Sequence, residues 1–217
     1  MTISADQITG LILAGGRGSR MGGVDKGLQA WRGQPLALHA RERLRPQVGG
    51  FIVNANRNAE HYQALFGPGV PVCTDATGDF AGPLAGFLAG LSACRTPWLV
   101  TAPCDSPLLP VDLVARLAQA AEAAGAPGAV AVSTGAAGRQ PQPVFCLLHS
   151  RLRESLATFL AGGGRKIDRW TAAQGLAEAL FDDEAAFFNA NTFDDLNAVP
   201  DAGSPPASDG NTARRTP

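Results

Sequence analysis

Histidine and cysteine are scarce in this chain and do not cluster. His39, His61 and His149 stand far apart, and Cys73, Cys94, Cys104 and Cys146 show no C-x-x-C pairing. That spacing excludes an ordinary histidine or cysteine metal site and a disulfide framework. Each cysteine lies within or beside an apolar segment, so reduced thiols are expected. An excess of charge is also missing: 18 basic residues face 19 acidic ones, for a formal net charge of -1. Nothing pulls the whole chain toward nucleic acid or an anionic membrane, and no aromatic-basic interleaving accompanies the basic residues that are present. No apolar run approaches the roughly 20 residues of a membrane span. The opening residues MTISADQ lack the basic start and apolar stretch of a secretion signal. A cytoplasmic protein is expected, with neither membrane nor nucleic acid among its partners.

What the chain does have is a rhythm. Over 217 residues, 45% of them hydrophobic, short β-rich apolar runs alternate with longer amphipathic stretches: ITGLILA, PLALHARERLR, FIVNA, AEHYQALF, VPVCT, PLAGFLAGLSAC, WLVTA and PVDLVARLAQAAEAAG. This is the signature of βαβ units, and it predicts an α/β fold with a Rossmann-like, mainly parallel mixed sheet flanked by helices. The continuous apolarity of the strands implies burial on both faces, and a ligand is expected beyond their carboxyl ends. After Gly128 the runs AVAVST and PVFCLLH, separated by the polar segment GAAGRQPQ, read as a hairpin or strand pair. A helix over LRESLATFLAGG and a short one from about Arg165 follow. FFNANTFDDLNAV reads as a last strand passing into a helical turn capped at Thr192. Residues 1–199 are expected to form one domain. The tail 200–217, built of Pro, Gly, Ser, Ala and Asp without a large apolar residue, cannot offset its ordering entropy and is expected to be disordered.

Charge is concentrated at one place. Between Arg17 and Arg57 stand eight basic residues against Asp25 and Glu42, a local cationic field suited to a small polyanion. Within it lies LILAGGRGSRMGGVDKG, Leu11 to Gly27, where an apolar strand runs into six glycines. Glycine lets backbone N–H groups approach a phosphate closely. Two familiar phosphate loops are excluded. Lys26 is followed by Gly27 rather than by a hydroxyl residue, and a G-x-G-x-x-G frame started at Gly16 ends on Met21.

LAGGRGSRMGGVDKG resembles the nucleotide-binding signature of the MobA family, molybdenum cofactor guanylyltransferases within the nucleotidyltransferases of glycosyltransferase-A-like fold. The resemblance continues in the family's order through FIVNANR, VCTDAT, GPLAG, APCDSP, Arg165 and FFNANT, covering most of the chain except its tail. It implies transfer of GMP from GTP to the molybdopterin-bound molybdenum cofactor, with release of pyrophosphate and with Mg2+. It also implies delivery of the product to cofactor-insertion chaperones or molybdoenzymes.

The blocks can be given tasks. Leu13, Ala14 and Gly15 would offer backbone to the nucleotide, while Arg20 and Lys26 neutralise phosphates. Asn54, closing the apolar run FIV, suits a base or ribose edge, although a turn-forming asparagine would look the same. The resemblance favours a guanosine contact there. Asp75 would accept from the nucleotide, or merely end its strand. Asp105 follows the continuous apolar strand WLVTA between Pro103 and Pro107, which stiffen the turn. Magnesium often takes only one or two carboxylates besides phosphate oxygens and water, so this single acid suffices. Arg20, Lys26 and Asp105 are thus the catalytic candidates. Gly82, Gly86, Arg165, Asn189 and Asn191 correspond to the acceptor side in the family, with helix packing the competing reading for the two glycines. No general base is needed if the acceptor is a phosphate oxyanion.

Three alternatives stay open at this level. A cytidylyl relative resembles LAAG where this chain has LAGG; Gly15 and Gly16 would favour guanine by leaving room for its exocyclic amine. A sugar-phosphate nucleotidyltransferase shares the glycine-rich loop and the metal-binding Asp. A non-catalytic nucleotide-binding module that delivers cofactor to a partner would need the same cradle.

Overall fold

A computed structural model describes residues 2–16, 24–75, 82–135, 138–190, 192 and 195. Its centre is a seven-stranded sheet. In chain order the strands and helices are β1 (Ile8–Leu13), the short hairpin β2 (Ala30–Trp31) and β3 (Gln34–Pro35), α1 (Leu36–Leu44), β4 (Gly50–Asn54), α2 (Ala59–Phe66), β5 (Val72–Cys73), α3 (Pro83–Ala93), β6 (Trp98–Pro103), α4 (Leu113–Ala124), β7 (Gly128–Gly135), β8 (Gly138–His149), α5 (Arg153–Ala161), α6 (Ile167–Ala173) and β9 (Ala177–Phe181). Across the sheet the order is β5-β4-β1-β6-β8-β7-β9. Strand β8 runs antiparallel to both its neighbours, and the other pairings are parallel.

The central strands β1 and β6 are buried on both faces because they are apolar at most positions. In β1, Ile8 and Ile12 point into one core, shared with Ala40 and Leu44 of α1, Tyr62 and Phe66 of α2 and Leu117 of α4. Leu11 points into the other, shared with Leu84 and Phe87 of α3, Leu156 of α5 and Trp170 of α6. The period-two geometry of a strand divides one apolar run between two helix layers.

Strand β1 is flanked by β4 and β6, parallel to each, so the chain builds outward on one side of β1 and then crosses to the other. The crevice at such a reversal, beyond the carboxyl ends of the strands, is where open α/β sheets bind ligands. Leu13, Asn54 and Pro103 end the three strands there.

Two expectations need correction. The described residues of FFNANT form no strand: Glu184–Phe187 is a 3-10 turn in which the Asp183 side chain accepts the Ala186 N–H. Phe187 packs edge-on against Phe145 and Phe181, and the last strand is the preceding AEALF. Of the polar segment GAAGRQPQ, expected to separate two strands, Gly138–Gln142 continue β8, with Gln140 opposite Ser133 and Gln142 opposite Ala131. Ladder bonds hold these residues extended where they have no core to cover. The cap at Thr192 is present as reciprocal bonds, Thr192 N–H to Asp195 Oδ2 and Asp195 N–H to Thr192 Oγ1. All four cysteines carry free thiols. Among the described residues no helix is long and apolar enough to cross a membrane. The tail 200–217 lies outside the described residues.

Candidate functional site

The loop leaving β1 is stitched to its neighbours within four residues. The Leu13 carbonyl accepts the Cys104 N–H at 3.0 Å, and the Ala14 N–H donates to the Asn54 carbonyl at 2.8 Å. Asn56 Nδ2 reaches the Gly15 carbonyl at 3.4 Å, and the Arg57 guanidinium donates to the Gly16 carbonyl at 3.0 Å. The loop therefore starts in a fixed direction over the ends of β4 and β6.

Around Asn54 a polar cluster forms on these strand ends. Asn54 Nδ2 donates to Asp75 Oδ1 at 2.9 Å, Asn56 Nδ2 to Asp75 Oδ2 at 2.7 Å, and the Asp75 N–H to Asn56 Oδ1 at 2.8 Å. Asn54 is itself buried, only 2% exposed, so its amide is held rather than free to rotate. Gly15 completes the packing: a Cβ there would lie 2.8 Å from Asn56 Nδ2 and 3.0 Å from Asn54 Oδ1, whereas the space beside Gly16 is open. The space that Gly15 leaves is thus taken by the two asparagine amides, which changes the steric reason expected for LAGG.

Across the crevice, Lys26 Nζ donates to Asp105 Oδ2 at 3.1 Å, both side chains being less than a fifth exposed. Lys26 opens a 3-10 turn, Lys26–Leu28, and Asp105 lies two residues beyond β6. The Asp105 carbonyl accepts the Ala190 N–H at 2.9 Å, and the buried Ser106 hydroxyl donates to Asn189 Oδ1 at 2.5 Å. The segment containing Asn189 is thereby tied to the Asp105 loop.

Burial sets the state of nearby groups. It raises the Tyr62 hydroxyl well above its ordinary range, helped by Cys104 and by its bond to Asp25. Burial likewise raises the Cys104 thiol and pushes the Cys73 thiol up to about 11. These groups stay protonated near neutrality, and none is an activated nucleophile.

The structure thus brings together Leu13, Ala14, Gly15, Asn54 and Asp75 on one side of the crevice and Lys26, Asp105 and Asn189 on the other. Gly82 precedes α3 with φ 80°, a conformation that suits glycine. Gly86 is buried, and a Cβ there would lie 2.6 Å from Asn54 Oδ1 and 2.7 Å from Leu13 Cδ2, so its contacts are with the Asn54 side. Arg165 stands apart: it is exposed, and its guanidinium donates to the Leu160 and Gly164 carbonyls at the end of α5. Arg20 and Asn191 lie outside the described residues. Four further residues emerge only here: Asn56, which holds Asp75, and Asp25 with Asn58 and Tyr62, which bond to it beside Lys26. Asn56 carried a signal, standing two residues beyond Asn54 in NANR; Tyr62 looked like core in AEHYQALF.

A divalent cation fits the donor set. Asp105 Oδ2 accepts from Lys26 and no described residue donates to Oδ1, leaving a hard oxygen at the rim of the crevice. Among the described residues no group of three or more His, Cys, Asp and Glu gathers around a metal position. The remaining ligands of a cation on Asp105 would be phosphate oxygens and water.

Comparison with known proteins is consistent across sequence and fold. Residues 10–178 match the model of the MobA-like NTP transferase domain. The molybdenum cofactor guanylyltransferase of Cupriavidus taiwanensis is 62% identical over 197 residues, covering 90% of this chain and 98% of that protein. Among solved structures, molybdopterin-guanine dinucleotide biosynthesis protein A from Archaeoglobus fulgidus superposes with a TM-score of 0.64 at 21% identity, over 88% of this chain and 96% of that one. The 2-C-methyl-D-erythritol 4-phosphate cytidylyltransferase of Thermus thermophilus superposes with a TM-score of 0.66 at 20% identity, over 91% and 96%. At such identities these two structures establish the shared nucleotidyltransferase architecture alone.

Proposed function

Because the chain belongs to the MobA-like NTP transferase family, we propose that its crevice performs guanylyl transfer, carrying GMP from GTP to the molybdopterin form of the molybdenum cofactor. The observation that carries the site assignment is the meeting of Lys26 and Asp105 at 3.1 Å above the ends of β1 and β6. A cation and a carboxylate held ready at one place suit a ligand that brings both phosphate charge and a metal ion.

In this reading an oxygen of the acceptor's terminal phosphate attacks the α-phosphorus of GTP. A new P–O bond forms, the bond to the pyrophosphate oxygen breaks, and pyrophosphate leaves. The attacking oxygen is already anionic, so the chain needs no base; it contributes position and charge. Lys26 exchanges Asp105 for a phosphate oxygen, and Arg20 adds a second cation. Asn54, Asp75 and the backbone of Leu13–Gly15 hold the nucleoside. Asp105 would carry the divalent ion, Mg2+ in our reading, which supplies charge neutralisation on the phosphates. Gly82, Gly86, Arg165, Asn189 and Asn191 are assigned to the acceptor side. Of these, Asn189 has the most direct support, being bonded to Ser106 beside Asp105. Arg165 would have to release two carbonyls to reach an acceptor.

The cytidylyl, sugar-phosphate and non-enzymatic readings are less well supported, since the relative at 62% identity is a guanylyltransferase. A cytoplasmic location and delivery of the product to insertion chaperones or molybdoenzymes complete the proposal. Its test is direct: purified protein, Mg2+, Mo-molybdopterin and either GTP or CTP, with the dinucleotide product separated by chromatography. Guanine dinucleotide and pyrophosphate in equal amounts are expected. Preferential use of CTP, or no product with either nucleotide, would refute it.

A further inference from the structure

Lys26 is flanked by two residues that have unusual neighbours. On one side, both carboxylate oxygens of Asp25 are taken: Tyr62 Oη donates to Oδ1 at 2.5 Å and Asn58 Nδ2 to Oδ2 at 3.0 Å. On the other, Gly27 lies so close to the same tyrosine that a Cβ would fall 2.3 Å from Tyr62 Oη and 3.2 Å from Cys104 Sγ. Tyr62, the chain's single tyrosine, is fully buried in α2. A buried hydroxyl is costly unless bonded, and here its bond leads out of the core to the residue before Lys26. Asn58, which precedes α2, sits at φ 54°, ψ 31°, a region that non-glycine side chains seldom occupy. From there its amide reaches Asp25.

We infer that Tyr62 is a positioning residue for Lys26: with Asn58 it clamps Asp25, while Gly27 rests on its hydroxyl, so α2 sets the place from which the lysine amine reaches the triphosphate. This inference rests on the reading of Lys26 as a phosphate-binding cation. The loop is joined to α2 by these side chains rather than by strand pairing, and Lys26 is the residue they bracket. An amine displaced by about 1 Å forfeits much of its effect on transfer, since misplacement of that size can cost about a hundredfold.

The test is a double-mutant cycle on kcat/KM for GTP, followed by pyrophosphate release with Mg2+ and Mo-molybdopterin. Tyr62→Phe keeps the buried ring and removes only the hydroxyl. In the wild-type background it should lower kcat/KM about tenfold, within the misplacement range above. In a Lys26→Ala background it should change it by less than about twofold, because the group being positioned is gone. Asn58→Gly keeps the left-handed backbone at no steric cost and removes one arm of the clamp. A loss of about threefold with the same background dependence is expected, and this variant carries the test if Tyr62→Phe does not fold. Should Lys26→Ala turn over too slowly, the GTP dissociation constant by titration calorimetry completes the same cycle. Equal losses in both backgrounds, or no loss in either, would assign Tyr62 a merely structural role and overturn the inference while leaving guanylyl transfer intact. A wild-type protein that releases no pyrophosphate from GTP would refute the functional reading itself. A Lys26→Ala protein with full activity would overturn the clamp along with the role of Lys26.

Discussion

Lys26 Nζ and Asp105 Oδ2, 79 positions apart in sequence, lie 3.1 Å from each other on one side of the crevice. The pair neutralises two charges that are mostly shielded from water, 18% and 17% exposed. Its two members arrive on different loops, one after β1 and one after β6, and only the sheet order makes them neighbours.

Replacing either member by alanine should separate activity from stability. Turnover is expected to fall about a hundredfold or more, the range for loss of one charge-stabilising group. Stability should change by about 1 kcal/mol, which moves the melting temperature by about 2–4 °C in a chain of this size. The double replacement should regain part of that stability, because neither charge is left without a partner, yet remain as inactive as the worse single variant. Thermal melts and pyrophosphate release on the same samples check this; a double variant that regains activity would contradict it.

Two glycines of α3 offer an internal control. A Cβ at Gly86 would collide with Asn54 Oδ1 and Leu13 Cδ2, and one at Gly90 would lie 2.4 Å from Leu11 Cδ2. Both alanine variants should lose about 1–3 kcal/mol to overpacking. Only Gly86→Ala disturbs the amide that holds Asp75, so only it should also raise KM for GTP, by about tenfold if one net hydrogen bond of about 1.4 kcal/mol is lost. Equal KM values in the two variants would detach Asn54 from nucleotide binding.

His149 provides a pH signature far from the crevice. Its Nδ1 accepts the Arg151 N–H at 3.1 Å and its ring packs edge-on to Trp98 at 4.8 Å. Burial, and next the charge of Arg151, lower its pKa from 6.5. A lowered folded-state value means that the stabilising contribution is complete above the unfolded pKa and is lost as pH falls through the folded one. The imidazole C–H resonance of His149 should titrate below pH 6.5, and His149→Gln should weaken the acid dependence of the melting temperature on the low side of that pH. A midpoint above 6.5 would contradict the account.

Much of this arrangement was legible in the residues themselves. Continuous apolar runs predicted β1, β4 and β6, and the rule that ligands sit beyond strand ends pointed to Asp105; Asn54 and Asp75 had ordinary turn readings beside it, and the family resemblance favoured the nucleotide. Lys26 stood out as a cation in a glycine-rich loop. What escaped the sequence is bonding that exists only after distant segments close on one another. Asn56 bonds to Asp75, nineteen positions away, and Tyr62 to Asp25, thirty-seven away; neither spacing has a local signature. Gly86 had an ambiguous signal, and its collision partners Asn54 and Leu13 come from β4 and β1. The segment FFNANT misled because aromatic residues raise strand propensity whether they line a sheet face or, as Phe187 does, plug the core from a 3-10 turn.

Guanylyl transfer in this crevice requires that Lys26 and Asp105 grip one triphosphate. A crystal structure with Mg2+ and a non-hydrolysable GTP analogue measures this most directly. Lys26 Nζ should be released from Asp105 and lie within about 2.7–3.2 Å of a phosphate oxygen, with the Asp105 carboxylate on the cation bound to the same phosphates. A nucleotide lodged elsewhere, with the 3.1 Å pair intact, would contradict it.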